Sequence, residues 1–302
     1  MVDGVLIVDK PGGLTSHDVV ARVKRWVRPS RVGHTGTLDP MATGVLVLCI
    51  GAATRLARFL AGGSKEYTGE IVLGARTDTY DAEGTVLETR EIAGIDLESV
   101  RAHASAFIGE VLQVPPPWSA KKIGGRRAYD LARSGKAVHP APCLVRVEEF
   151  DVRALEGARA TFRTICSAGS YVRSLVDDLG ESLGCGAYLT SLRRTRNGPF
   201  EISRATPLCA IEEAGRAGVL RSRAIPLDSL ELGLPEARVT EAGERLAAAG
   251  RVVPLGEIAG PAPPAASRTV RIVAPDGRLI GLAELAPAGL QPRVVLPRSG
   301  DT

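Results

Sequence analysis

One carboxylate stands out in the chain because of the residues around it. Residues 33–44 read Gly-His-Thr-Gly-Thr-Leu-Asp-Pro-Met-Ala-Thr-Gly, and a hydrophobic run, residues 45–50, follows at once. Pro40 disfavours helical backbone at Asp39, and the glycines permit backbone angles and close approaches that other residues exclude. Such a loop can hold a carboxylate outward at fixed geometry while a large substrate approaches. The alternative is an ordinary turn, in which Asp-Pro and the glycines are only turn residues.

A second cluster joins the end of a predicted strand to the start of a predicted helix. It covers residues 166–173 and places Arg173 in the first helical turn. A cation there faces the unfavourable end of the helix dipole. We therefore expect Arg173 to pair with a carboxylate from elsewhere, and Asp39 is a candidate. The alternative partner is Asp177, one turn further along the same helix.

Two further segments have side chains suited to contact with a polyanion or a base. Residues 121–129 interleave basic residues with glycine and tyrosine, a pattern typical of phosphate contacts and aromatic stacking. The alternative for this segment is a solvated hinge. The basic residues are Lys121, Lys122, Arg126 and Arg127. The segment 65–67 starts a strand with Tyr67, where a tyrosine is more often a core residue than a catalytic one.

Motifs of several familiar chemistries do not occur in the 302 residues. There is no phosphate-binding loop, no dinucleotide-binding glycine motif and no nucleophile elbow. The four histidines are far apart, and the five scattered cysteines favour free thiols and a reducing cytoplasm. Without an eighteen-residue apolar run or a signal-peptide pattern, we expect neither a membrane span nor secretion. A mechanism without metal or cofactor is what remains.

The elements that would position these residues follow an α+β pattern. Strands outnumber helices and do not alternate with them regularly, so we expect a mixed or antiparallel sheet flanked by helices. Strands are predicted at residues 5–8, 45–50, 67–74, 85–90, 145–153 and 159–167. Helices are predicted from an N-cap at Ser16, at 54–60, at 97–107 and at 171–183.

Charge and composition divide the chain further. Residues 1–65 carry nine Lys or Arg against four acids, residues 66–115 carry ten acids against three bases, and residues 116–140 carry six bases against one acid. Two basic blocks around an acidic one indicate a polyanion-binding face with a repelling counter-face. We expect a first domain at 1–230, a linker, and a small β-rich module at 237–300 with a helix at 240–249 and a hairpin turning at 275–277.

Together these segments resemble the TruB family of tRNA pseudouridine-55 synthases, in order over about residues 4–205. Residues 33–46 resemble the family's catalytic motif, which is specific enough to overturn the interpretation as a simple turn. The other matching segments are Lys10-Pro11-Gly12, Lys65-Glu66-Tyr67, the RNA-gripping thumb that begins at Gln113, Gly169 to Arg173, and Leu189 to Phe200. The resemblance implies a pseudouridine-synthase-type sheet, a thumb insertion at about 115–143 and a PUA-like RNA-binding domain at 237–300.

The resemblance also implies a reaction. The family converts the uridine at position 55 in the T-arm of tRNA to pseudouridine: the N1–C1′ bond breaks, the uracil turns, and C5 joins C1′. By resemblance Asp39 is the carboxylate that either attacks C1′ or deprotonates the sugar. Arg173 stabilises its ionised form. No metal or cofactor is required, and tRNA is the partner.

Roles for the surrounding residues follow from the same resemblance. Tyr67 would stack on the uracil and assist removal of the C5 proton. His34 would fill the space left by the extruded nucleotides. The full set of substrate-binding residues that the resemblance implies is Lys10, His34, Tyr67, Tyr171 and Leu192. The basic thumb residues would contact phosphates.

Other functions are left open. A tRNA-binding folding chaperone needs the basic faces but neither Asp39 nor Arg173. A guide-dependent relative acting within a ribonucleoprotein is disfavoured, because the thumb resembles the stand-alone form, which acts as a monomer without protein partners. A glycoside hydrolase would need two opposed carboxylates. Two departures from the family pattern, Trp118 for tyrosine and Ser170 for threonine, are mild.

Overall fold

The computed structural model describes residues 2–119, 121–123, 126–127, 140–261, 263–264 and 268–298. Most of the predicted thumb, at about 115–143, lies outside the described residues. The side chains of Lys122, Arg126 and Arg127 lie outside them as well.

The described ranges contain both helices and strands. The strands are β1 (Gly4–Lys10), β2 (Val32–His34), β3 (Thr43–Ile50), β4 (Lys65–Leu73), β5 (Ala75–Thr77), β6 (Val86–Thr89), β7 (Gly109–Gln113), β8 (Lys122–Ile123), β9 (Arg126–Arg127), β10 (Cys143–Glu156), β11 (Arg159–Cys166), β12 (Ala187–Asn197), β13 (Phe200–Glu201), β14 (Thr206–Pro207), β15 (Glu236–Arg238), β16 (Thr269–Val273), β17 (Leu279–Ala286) and β18 (Gly289–Val295). The α-helices are α1 (Ser16–Lys24), α2 (Ala57–Leu60), α3 (Leu97–Ser105), α4 (Val172–Ser182), α5 (Leu208–Arg216) and α6 (Glu241–Ala248).

Within the described residues, ten strands form one large mixed sheet. Eight of them follow the order β14-β1-β3-β12-β4-β11-β10-β7, while β2 pairs with β3 and β13 pairs with β12. Most neighbours are antiparallel, whereas β12 runs parallel to β3 and antiparallel to β4. Helices α1, α3, α4 and α5 contribute buried apolar side chains to one core with this sheet, among them Val19, Leu175 and Ile211. The predicted α+β class with a mixed sheet flanked by helices is confirmed.

A second, four-stranded sheet has the order β15-β16-β17-β18. It shares a buried apolar cluster with β1 and β3, in which Leu282 packs with Val45 and Val47. The expected linker is part of this cluster: Leu230 is 1% exposed, and neighbouring leucines pack against the same core. The segment is therefore a packed connection between the two sheets.

The predicted first helix begins one residue earlier than its sequence pattern indicated. Thr15, and not Ser16, is the N-cap, and it forms a capping box with Asp18. Ser16 is the first helical residue and is buried. The predicted helix at 54–60 is instead a 3-10 helix, Gly51–Leu56, followed by α2.

The largest omission from the sequence-based prediction is β12, which lies between β3 and β4 in the middle of the sheet. Its sequence, Ala-Tyr-Leu-Thr-Ser-Leu-Arg-Arg-Thr-Arg-Asn, is too polar to read as a buried strand. Arg194, fully buried within it, explains the discrepancy. Helix α5 was also not predicted.

Candidate active site

The backbone of residues 36–40 is held by side chains from three different elements. The hydroxyl of Ser16, in α1, accepts from Leu38 N at 2.8 Å and donates to Leu38 O at 3.1 Å. The ammonium of Lys10, at the end of β1, donates to Pro40 O at 3.1 Å. Because the peptide groups are satisfied on both sides of Asp39, the loop is held in one conformation.

The third anchor is Arg194 in β12. Its guanidinium donates to Gly36 O and Thr37 O, both at 3.2 Å, and to Val45 O at 2.7 Å. The side chain is 0% exposed. A rigid, planar group with several donors is well suited to tie a loop to two strands at once.

Two glycines allow this arrangement. Gly36 and Gly44 have φ of +104° and +97°, which side-chain-bearing residues rarely adopt. A Cβ on Gly44 would stand 2.2 Å from the carbonyl oxygen of Arg194. The contact of β3 with β12, and with it the position of the end of the Asp39 loop, therefore depends on the absence of a side chain at position 44.

Asp39 and Arg173 meet, as the sequence predicted. The Nε of Arg173 donates to Asp39 Oδ2 at 2.9 Å. The other arms of the guanidinium donate to Thr79 O at 3.0 Å and Trp118 O at 2.9 Å, and Asp81 lies 3.4 Å away. The arginine side chain is 5% exposed, whereas that of Asp39 is 35% exposed. A buried, fully bonded cation therefore positions a carboxylate that solvent or a substrate can reach.

The alternative partner of Arg173 is engaged elsewhere. Asp177 accepts two hydrogen bonds from Arg76, at 2.7 and 2.8 Å. Burial raises the pKa of Asp177, and the Arg76 guanidinium acts in the opposite direction. The pairing within the helix is therefore not formed, and Arg173 is available to the loop.

A cavity of about 240 Å³ opens beside the Asp39 carboxylate. Of the residues predicted from the sequence, it brings together Asp39, Tyr67, Tyr171, Arg173 and Leu192. Lys65 and Arg194 also line it. His34 and Lys10 are not among the described lining residues: His34 ends β2, where its backbone pairs with Leu48 of β3.

The aromatic residues of the cavity are fixed by their surroundings. Tyr67 is 6% exposed, and burial raises the pKa of its phenol, with Arg194 acting in the opposite direction. The Gln113 side-chain amide forms two hydrogen bonds with the backbone of Tyr171: it donates to Tyr171 O at 3.0 Å and accepts from Tyr171 N at 2.7 Å. Burial also raises the pKa of Tyr171. Both phenols are therefore neutral near pH 7 and present apolar ring surface.

Two buried lysines flank the site. Lys10 donates to Pro11 O at 2.8 Å and Leu14 O at 2.6 Å besides Pro40 O, and it is 0% exposed. Burial lowers the pKa of Lys10 to about 8, although Asp39 acts in the opposite direction. Burial likewise lowers the pKa of Lys65 to about 8, and the neighbouring Arg194 lowers it further.

The predicted thumb residues are described only in part. Lys121 donates to Ala141 O at 2.6 Å, at the base of the insertion. The backbone of Lys122 pairs with that of Arg127 in the two-stranded antiparallel sheet of β8 and β9. The contacts of these residues with phosphates stay predictions.

Three residues that shape the site were not identified from the sequence. Ser16 was interpreted as an N-cap, Arg194 was noted only as part of a motif, and Asp81 was not singled out. The one signal for Arg194 is its place in the family-like segment Leu189 to Phe200. Neither Ser16 nor Asp81 carries such a signal, because their partners are distant in the sequence.

Among the described residues, no group of three or more His, Cys, Asp or Glu side chains is placed to share a metal ion. No helix in the same part of the chain is long and apolar enough to cross a membrane.

Two chains in solved structures share the fold of this chain. A chain in a solved structure of an H/ACA ribonucleoprotein bound to a substrate RNA containing 2′-deoxyuridine superposes with a TM-score of 0.74 at 24% identity, over 98% of this chain and 86% of that one. A second, from an archaeal box H/ACA complex, has a TM-score of 0.73 at 25% identity, over 98% and 87%. These likenesses concern the fold.

Family comparison is more specific. Residues 24–172 match the model described as the N-terminal domain of the TruB family pseudouridylate synthases. Residues 173–230 match that of the tRNA pseudouridylate synthase B C-terminal domain. Fold, site and family match together define a pseudouridylate synthase, an isomerase.

Relatives of full length narrow the assignment. The chain is 44% identical to the tRNA pseudouridine synthase B of Thermobifida fusca, over 99% of this chain and 100% of that protein. It is 40% identical to the protein of the same name from Burkholderia mallei, over 96% of each. The chain belongs to the TruB family.

Proposed function

We propose that this protein isomerises the uridine at position 55 in the T-arm of tRNA to pseudouridine. The observation that carries the proposal is the Asp39 carboxylate, held by Arg173 at 2.9 Å at the edge of a cavity lined by Tyr67 and Leu192. A target inside a folded T-arm must be extruded before its C1′ can reach such a carboxylate.

The different exposure of Asp39 and Arg173 suits the proposed chemistry. Asp39 is partly exposed and free to approach C1′ or the sugar, whereas Arg173 is buried and held by two backbone carbonyls. The carboxylate acts either as a nucleophile on C1′ or as a base on the sugar. Both routes need a charged carboxylate at fixed geometry, which the anchored loop supplies.

Tyr67 serves in this proposal mainly as a stacking surface. Burial raises the pKa of its phenol, so the proton-accepting phenolate form is scarce near pH 7. Leu192 and Tyr171 would enclose the remaining faces of the base. Lys10 we assign to holding the loop, because its ammonium donates to three carbonyls.

The wider assignments rest on the same proposal. Domain bounds at 1–230 and 237–300, with the second domain PUA-like and RNA-binding, agree with the separate β15–β18 sheet. His34 would fill the space left by the extruded nucleotides, and the thumb at about 115–143 would grip the T-arm. We propose a cytoplasmic monomer that acts without protein partners.

The test is tritium release from a tRNA transcript labelled at uracil C5, at RNA concentrations that saturate each protein. Wild type is expected to release tritium stoichiometrically from the T-arm uridine, and Asp39→Asn is expected to bind equally and release none. Asp151→Asn, which alters a half-exposed carboxylate whose ion pair among the described residues is with Arg153, is the matched control and should react as wild type. Tight binding without release by wild type would refute the enzyme and favour the chaperone.

A further inference from the structure

The cavity carries more positive charge than its carboxylates balance. Within the described lining there are three cations, Lys65, Arg173 and Arg194, and one carboxylate, Asp39. Arg173 is matched by Asp39 and, behind it, by Asp81. The remaining two cations have no carboxylate within ion-pair distance in the part of the chain that the structure describes.

The two unmatched cations lie next to each other. A Cβ on Gly36 would stand 3.4 Å from Lys65 Cε and 3.8 Å from an Arg194 Nη. Lys65 donates to Ala61 O at 3.0 Å and Gly63 O at 3.1 Å, which leaves one ammonium N–H without an acceptor among the described residues. Hydrogen bonds to these carbonyl groups do not neutralise the positive charge of Lys65.

Two adjacent buried cations are energetically unfavourable unless an anion binds beside them. Burial disfavours the charged form of an isolated cation, and the lowered pKa of Lys65, about 8, reports that cost. A site with fixed, desolvated cations is preorganised for an anion that forms during the reaction.

The proposed reaction generates that anion. When N1–C1′ breaks, its electron pair stays on N1 and the uracil leaves as an anion. If Asp39 attacks C1′ it becomes a neutral ester, and if it removes a sugar proton it becomes a neutral acid. By either route one negative charge moves from Asp39 to the uracil. When C5 joins C1′, the Asp39–C1′ ester bond breaks; on the other route the sugar takes back its proton from Asp39. Either way Asp39 regains its negative charge. The C5 proton is then lost and N1 takes up a proton, so atoms and charge balance.

We propose that Lys65, backed by Arg194, stabilises the negative charge on the detached uracil. The inference rests on the proposed function and adds a second electrostatic site to it: Arg173 faces the charge at its starting point on Asp39, and Lys65 faces it after transfer. Lys65 is thus a catalytic residue that contacts the base, and it acts whichever way Asp39 reacts.

The first test compares Lys65→Met, Lys65→Gln and Lys65→Arg in single-turnover conversion of a T-arm RNA. The two neutral variants are expected to react about a hundredfold more slowly than wild type at unchanged RNA affinity, and Lys65→Arg is expected to restore most of the rate. Lys24→Met, which removes a charge exposed on α1, is the matched control. A loss confined to RNA affinity, or neutral variants at wild-type rate, would overturn the inference.

The second test changes the stability of the anion. Fluorine at C5 withdraws electrons, so 5-fluorouracil leaves as a more stable anion and needs less help from Lys65. With RNA containing 5-fluorouridine at the target, disappearance of the N1-linked nucleotide from nuclease digests measures bond cleavage. The fold-loss caused by Lys65→Gln should be smaller than with uridine. An equal fold-loss would indicate a structural role and refute the inference, whereas wild type that converts no uridine would refute the proposed function itself.

Discussion

At the scale of single residues, the site separates the carboxylate proposed to react from the groups that hold it. Asp39 is partly exposed, while Ser16, Lys10 and Arg194 are buried and bond to the loop backbone. Catalysis by a carboxylate depends on its position to a fraction of an ångström. Residues that never touch the RNA are therefore expected to influence the rate strongly.

Ser16→Ala tests this expectation. The substitution leaves the N–H and carbonyl of Leu38 without their buried partner, which should cost about 1–3 kcal/mol in unfolding free energy and lower kcat with little change in KM. Thr15→Ala is the matched control: it removes the N-cap of the same helix, costs about 1 kcal/mol, and touches no loop atom. Equal kcat values for the two variants would contradict a positioning role for Ser16.

The lowered pKa values of Lys10 and Lys65 predict a pH dependence. Both ammonium groups have a pKa of about 8, so they are charged below that pH and lose their charge as the pH rises through it. The single-turnover rate should therefore fall on the alkaline side of about pH 8. Lys65→Arg, which does not titrate there, should weaken this fall; a wild-type rate that stays level beyond pH 9 would contradict the prediction.

At the scale of elements, the parallel pairing of β3 with β12 positions the loop that carries Asp39. Gly44 lies where the backbones of the two strands touch, so that a Cβ would overlap Arg194 O. The same contact positions Arg194 relative to the loop, because Arg194 pairs with Gly44 in the parallel register.

Gly44→Ala should consequently separate the two strands. We expect a loss of about 2–4 kcal/mol in unfolding free energy and a lower rate, measured by denaturant unfolding and tritium release. Gly94→Ala is the matched control, because Gly94 also has a positive φ but nothing lies within 4 Å of its Cβ position; it should cost only about 1 kcal/mol. Similar losses for both would show that backbone angle, rather than the strand contact, matters at position 44.

Helix α4 carries a second pH-sensitive feature. Burial, and then the neighbouring Asp177, raise the pKa of Asp178 from 3.8 to about 6. Because the folded protein favours the neutral acid, this group's contribution to stability is full below about pH 4 and is lost as the pH rises through about 6. Asp178→Asn should therefore be more stable than wild type at pH 7 by about 1 kcal/mol, after allowance for partial exposure, and equal to it near pH 4. Thermal unfolding of both proteins at the two pH values is the test. A stability difference that is the same at pH 7 and near pH 4 would contradict the prediction.

At the scale of the whole molecule, the two sheets share a core. Leu279 and Leu282 of β17 belong to the same buried cluster as Val45 and Val47 of β3, so the C-terminal sheet and the β1–β3 part of the large sheet share a core. Because β3 directly follows the loop that carries Asp39, the C-terminal sheet supports the strand that fixes this loop.

The shared core predicts cooperative unfolding. Leu282→Ala should lower the unfolding free energy by about 2–5 kcal/mol and shift one transition that is common to both domains, followed by circular dichroism and by calorimetry. Val86→Ala, at a side chain that is 52% exposed, is the control and should leave the midpoint unchanged. Two separate transitions, of which only one moved, would contradict a shared core.

The sequence alone predicted the α+β class and indicated Asp39 and its loop as the candidate site, because a motif of closely spaced residues and the periodicity of apolar side chains are local properties. Its resemblance to a family also indicated Arg173 and Tyr67, which lie with Asp39 at the cavity. Only the tertiary structure revealed β12 as the central strand. It also revealed Arg194 and Ser16 as anchors of the loop and Lys65 as an unmatched cation. These roles depend on contacts between residues up to 158 positions apart, and a buried charge is accepted in a strand only when backbone carbonyls from distant segments surround it.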